Sequence, residues 1–140
     1  MKAARLILIA TAIFTCLSWK AQASDVKVIA NPSVSGGSVS ADELKDVYLE
    51  NSDSLGGSHV QPVLQKGGAV HDAFLKDYLG KSDSMLQTYY RSLVFTGKGE
   101  MPKAFASDAE IVAYVAKTKG AVGYVSSATD TAGVKVLSVK

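Results

Sequence analysis

Residues 107–125, SDAEIVAYVAKTKGAVGYV, join a capped helix to a buried strand. Ser107 and Glu110 form a capping box, in which a hydroxyl and a carboxylate satisfy free amides of the first turn. Ile111, Val112, Tyr114 and Val115 then recur at helical spacing. Lys117 and Lys119 suit the negative end of the helix, and Gly120 closes it. Ala121 to Val125 reads as a strand. A helix feeding such a strand belongs to a layered α/β sheet.

The rest of the chain extends that pattern. Val26, Val28 and Ile29 read as a strand, stopped at Asn31-Pro32 because proline lacks a ladder donor. A Ser/Gly loop follows over 33–39; its hydroxyls and amides at 33–38 suit an anion at the first helix, but a flexible connector is the preferred reading. Ser40-Ala41-Asp42-Glu43 is a second capping box, opening a helix with Leu44, Val47 and Tyr48 on one face. Residues 51–58 are turn-rich, and 59–65 alternate as a strand that Pro62 demotes to an edge or an imperfect strand. Lys66-Gly67-Gly68 turns into a helix over 69–79 with Ala73, Phe74, Tyr78 and Leu79 inward and Gly80 as its C-terminal stop. Ser82 or Asp83 caps a third helix, striped by Met85, Leu86, Tyr89, Tyr90, Leu93 and Val94. Residues 96–102 are a loop, and Val134 to Val139 form a last strand. The predicted order is β-α-β-α-α-α-β-β, a three-layer mixed sheet with helices on both faces.

The first twenty-odd residues read differently. Lys2 and Arg5 precede an apolar run from Leu6 to Leu17, and Ala21-Gln22-Ala23 offers a cleavage site, the pattern of a secretory signal. Twelve apolar residues fall short of the roughly 20 that span a bilayer. The 140-residue chain carries +2, but cleavage after Ala23 leaves 117 residues with 12 basic and 13 acidic side chains, and removes Cys16 and Trp19. The expected product, 24–140, is a single domain exported to the periplasm, with no membrane insertion. A charge near −1 without a basic run gives no footprint for nucleic acid. Without cysteine there is no disulfide framework and no thiolate zinc site.

Three segments in order resemble the substrate-binding proteins of phosphate ABC transporters, which have the type II periplasmic-binding-protein fold. They are Val28 to Pro32 followed by the 40–49 helix, the strand–glycine turn–helix of 63–79, and the helix and Gly-Ala-Val-Gly-Tyr-Val strand of 107–125. The resemblance implies one lobe of a two-lobed clamshell. It also implies phosphate or a related oxyanion as ligand, and a transporter or sensor of the envelope as partner. Where the family carries a Ser-Gly-Thr run at a helix N-terminus, Gly68-Ala69-Val70 stand here, so both hydroxyls are gone.

The candidate anion site is therefore Lys66, Gly67, Gly68, Ala69, Val70 and His71. Its free backbone amides and the helix dipole attract negative charge, and Lys66 or His71 adds a donor; an ordinary strand-to-helix turn explains the same residues equally well. Arg91, Thr96 and Lys98 read as a solvated loop with basic decoration. His59 and His71 lie in different elements with no thiol beside them, which argues against a metal site. Ser58-His59 and His71-Asp72 are sequence neighbours only, and no nucleophile elbow is present. The tyrosines at 48, 78, 89, 90 and 114 read as core. No enzyme and no cofactor are expected. The alternative to solute binding is a lone lobe that acts as an interaction or sensor-accessory module. Two lobes could also be assembled by dimerisation.

Overall fold

A computed structural model describes residues 26–140. The expected signal segment lies outside the described residues. Eight strands form: β1 Val26–Ala30, β2 Ser38–Val39, β3 Ser54–Leu55, β4 Ser58–His59, β5 Gln61–Gln65, β6 Lys103–Phe105, β7 Ala121–Ser126 and β8 Lys135–Val139. The helices are α1 Ala41–Tyr48, α2 Ala69–Phe74, α3 Asp83–Phe95 and α4 Asp108–Lys117; α2 runs on as a π-helical turn, Leu75–Leu79. Six strands form one mixed sheet in the order β2-β8-β1-β7-β5-β6, and β3 pairs with β4 as a separate hairpin. β5 runs parallel to both β6 and β7, while β1 is antiparallel to β7 and β8.

Alternation along each strand builds the three layers. Ile29, Val63, Ala121 and Val125 join Ile111 and Val115 of α4 on one face. Val28, Ala30, Leu64, Val122 and Tyr124 join Leu44, Val47 and Tyr48 of α1, with Phe74, Leu75, Leu79 and Leu86, on the other. Gly123 brings α4 close to the sheet: a Cβ there would stand 2.8 Å from Ile111 Cγ2 and 3.0 Å from Val63 Cγ2. The expected helices on both faces are present.

Ser40, Ser82 and Ser107 each accept from the amide three residues on, so Ser82, not Asp83, caps α3. Gly80 (φ 64°) ends the π turn, its N–H donating to the Leu75 carbonyl five residues back at 2.7 Å. Gly56 and Gly57, with φ of 59° and 84°, make the β3–β4 turn, a geometry that needs two left-handed residues.

Four expectations need correction. β2, β6 and the β3–β4 hairpin are additional strands, too short to show a period in sequence. β5 is an interior strand rather than an edge, and the imperfect strand that Pro62 also allowed is what forms. The Gln61 N–H donates to Gly120 O on the β7 side, so the missing Pro62 donor faces β6, whose ladder begins only at Val63. The 33–38 loop is pinned, because Lys135 Nζ donates to Val34 O at 2.7 Å and Gly36 O at 2.9 Å, and Ser35 N donates to Ser58 Oγ. Only Leu86 and Tyr90 of the α3 stripe are buried; Met85 is 56% and Val94 52% exposed. This helix lies at the periphery, attached by tyrosine hydroxyls: Tyr89 donates to Leu49 O at 2.6 Å, and Tyr90 donates to Tyr48 O.

Candidate functional site

β5, β6 and β7 are parallel and end on the same side of the sheet, at Gln65, Phe105 and Ser126. Open α/β sheets hold ligands beyond the carboxyl ends of such strands. The loop leaving β5 is 66–68, held at its base by the Lys66 N–H on Phe105 O at 2.9 Å. Gly68 has φ 102° and ψ 176°, a conformation open only to glycine, and offers no side chain to cap α2. The first intrahelical bond runs from Asp72 N to Gly68 O, so the amides of Ala69, Val70 and His71 precede the ladder. A Cβ at Gly67 or Gly68 would meet nothing within 4 Å. Lys66, Gly67, Gly68 and Ala69 are exposed and Val70 is half-buried.

The other helix starts differ. α1, α3 and α4 each have a serine cap with acids in the first turn. At α4 the Asp108 carboxylate accepts from Gln65 Nε2 at 2.5 Å, Ser126 N at 3.2 Å and Thr129 Oγ1 at 2.9 Å. That helix end holds an anion of its own. α2 is the start left with bare amides.

His71 departs from its expected role as a side-chain donor. Its ring is fully buried, with Nδ1 2.5 Å from Tyr124 Oη and Nε2 2.8 Å from Asp83 Oδ1. Only its backbone amide remains among the residues the loop presents. Tyr124 Oη also accepts from the Gln65 amide at 3.0 Å, and its ring stacks on Phe74 with centroids 3.9 Å apart. Burial raises the Tyr124 phenol well above its ordinary pKa; the Gln65 amide opposes that rise and Asp83 adds to it. The phenol stays protonated and serves as a donor. Sequence reasoning missed Gln65, Asp83, Asp108 and Tyr124. Asp83 and Asp108 carried a signal, each being the acid that follows a serine cap. Gln65 and Tyr124 carried none.

The remaining candidates are separated. Thr96 Oγ1 donates to Ser92 O, and the amides of Thr96, Gly97 and Lys98 close the end of α3, so the 96–98 cluster is a helix cap. His59 lies 3.6 Å from Asp53 at the surface, away from buried His71. Among the described residues no group of three or more His, Cys, Asp or Glu is placed to hold a metal, and no helix is long and apolar enough to cross a membrane. Tyr48 and Tyr90 are core, while Tyr78, Tyr89 and Tyr114 are half-buried. A hollow of about 430 Å³ lies beside the His71–Asp83 pair, lined by Asp72, Leu75, Lys76, Lys81 and Asp83 among others.

No protein-family model matches the chain, and no curated protein matches it. Solved structures do. A protein from Clostridium perfringens, assigned as a phosphate ABC transporter substrate-binding protein and solved with bound phosphate, aligns over 82% of this chain and 44% of its own at 16% identity and TM-score 0.62. PstS from Borrelia burgdorferi aligns over 83% and 47% at 11% identity and TM-score 0.62. An ABC-type phosphate transport receptor from Vibrio cholerae aligns over 82% and 46% at 12% identity and TM-score 0.55. The chain spans less than half the length of each of these proteins, which are substrate-binding and transport proteins rather than enzymes. At such identities the likeness establishes the fold: this chain is built as a mixed-sheet α/β unit of the kind found in the substrate-binding proteins of phosphate transporters.

Proposed function

We propose that the chain, after removal of residues 1–23, is a periplasmic solute-binding-like protein that takes phosphate or a related oxyanion in ABC-type phosphate uptake or sensing. The observation that carries this reading is the uncapped start of α2 at the carboxyl ends of three parallel strands. There the amides of 69–71 precede the helical ladder, no side chain caps them, and the exposed Lys66 stands at the start of the same loop. No enzyme chemistry and no cofactor enter this reading. A single wall of amides binds weakly, because tight dehydrated capture needs more convergent donors than one loop supplies. Calorimetry of the exported protein with phosphate and sulfate tests it: dissociation constants of roughly 0.1–1 mM are expected, weakened by Lys66→Ala. An absence of heat at ten times those concentrations ends the reading.

A second reading rests on α3. Phe95, at the end of α3, is 92% exposed and the neighbouring Val94 is half-exposed, a small apolar tip available to a protein partner. In this reading the chain is an interaction or sensor-accessory module of the envelope, or it pairs with a second copy. Sizing by light scattering and capture from a periplasmic extract separate these cases. A monomer that binds anion and retains no stoichiometric partner rejects them.

A further inference from the structure

The fully buried ring of His71 bridges two elements, and its hydrogen bonds leave one neutral arrangement. Asp83 Oδ1 faces Nε2 at 2.8 Å, so Nε2 carries the proton and donates to the carboxylate. Nδ1 is then an acceptor, and Tyr124 Oη, 2.5 Å away, donates to it. The phenol oxygen in turn accepts from the Gln65 amide, the residue from which the anion loop departs. One line of hydrogen bonds thus runs from the start of α3 through the ring to the root of the loop.

Protonating Nδ1 breaks that line. Two hydrogens cannot lie between Nδ1 and Oη, so the phenol hydrogen must turn away. Tyr124 then accepts from both the ring and the Gln65 amide. The charge behind the loop changes as well: a neutral ring leaves the Asp83 carboxylate uncompensated, and an imidazolium cancels it. Asp83 of α3 and Tyr124 of β7 are the titratable groups that touch the ring. Tyr48 of α1 meets Tyr124 edge-on, β5 brings uncharged Gln65 with Asp108 behind it, and β1 gives Val28 and Ala30 to the same core. On the ring's own helix, Asp72 and Lys76 are exposed.

We propose that His71 is a protonation-dependent positioning residue of the 65–70 loop, acting through Tyr124 and never touching the ligand, so that oxyanion affinity rises as the ring gains a proton. The proposal rests on the anion-binding reading of the loop. Sulfate is the probe, because it stays doubly charged between pH 5 and pH 8, where an imidazole changes charge. Affinity at pH 5.5 should exceed that at pH 8 by about three- to tenfold, as expected for one partly screened charge near the site. His71→Gln should bring the ratio close to one. If His71→Gln fails to fold, Asp83→Asn takes its place: without the carboxylate that pairs with the imidazolium, the ratio between the two pH values should fall toward one.

Without sulfate, the amide signals of Gln65, Gly67 and Gly68 should follow the titration of the His71 ring in nuclear magnetic resonance spectra. Sulfate bound equally well at both pH values overturns the proposal. Sulfate bound at neither ends the anion reading, and the amide signals then decide the positioning claim alone: signals that track the ring sustain it, and signals that ignore the ring overturn it.

Discussion

The Tyr48 hydroxyl donates to the Val63 carbonyl at 3.1 Å, and Val122 O lies 3.4 Å from the same oxygen. It reaches from α1 into the sheet where β5 and β7 part, since their ladder covers only Gln61↔Ala121 and Pro62↔Val122. Beyond that point Gln65 Nε2 on Tyr124 O and the Gln65 amide on Tyr124 Oη take over. A side-chain seam thus replaces the backbone ladder directly under the candidate loop. Tyr48→Phe removes the hydroxyl that bridges the start of that seam and leaves the buried Val63 carbonyl without this donor. The expected loss is about 1–3 kcal/mol in denaturant titration, with the amides of 63–65 exchanging faster.

Asn31 is the buried counterpart at the other end of the sheet. Its Nδ2 donates to Val115 O at 2.8 Å and Ala116 O at 3.2 Å, and its Oδ1 accepts from the Ser33 amide. Asn31→Ala should cost roughly 1–3 kcal/mol. Asn31→Asp should cost more at neutral pH than at acid pH, because an ionised carboxylate has no hydrogen to give those carbonyls. Unfolding curves at the two pH values check this.

Gly123 packs against α4 without a side chain. Gly123→Ala places a methyl 2.8 Å from Ile111 Cγ2, so the helix must shift outward. A loss of about 1–3 kcal/mol is expected, with faster amide exchange confined to α4. Unchanged stability would mean that α4 yields freely, against the packing described above.

Glu50 follows α1 with φ 60°, the one left-handed non-glycine residue among those described. Burial raises its carboxyl pKa, and Glu100 adds to the rise. An acid whose pKa is raised on folding opposes folding when ionised. The penalty is present above the folded pKa and disappears as pH falls toward the unfolded value of about 4.3. Glu50→Gln should therefore stabilise the protein at pH 7, and the gain should shrink toward pH 4. Glu50→Gly removes the same charge and also releases the left-handed backbone, so it should keep a gain of about 1 kcal/mol at pH 4, where that of Glu50→Gln has faded. Thermal melts of both variants separate charge from strain.

Export is tested most directly at the N-terminus. Protein recovered from the periplasm should begin at Ser24, and its intact mass should lack residues 1–23. A full-length mass in that fraction would exclude cleavage after Ala23.

Periodicity and caps are local properties, and they made much of the architecture legible. Ser40, Ser82 and Ser107 mark the starts of their helices through hydroxyls that accept from the amide three residues on. The alternation of helices with strands announced a sheet covered on both faces, and 121–125 read as one of its strands. Short-range signals failed where pairing is distant. Three-residue β6 exists because β5 is there to pair with it, and Pro62 is tolerated inside the sheet because its missing donor points where no ladder has begun. The α3 stripe misled for a related reason: helical spacing says which residues share a face, not whether a neighbour covers it.

The amino-acid sequence by itself determined the glycine turn at 67–68, its place between a strand and a helix, and the absence of hydroxyls there, because backbone freedom and side-chain chemistry are written residue by residue. Only the tertiary structure decided what stands behind that turn. His71 reads in sequence as a free donor two residues into a helix. In the fold its ring is closed off by Asp83, twelve residues along, and by Tyr124, fifty-three residues along, because burying a polar ring obliges the chain to bring it partners from wherever they lie.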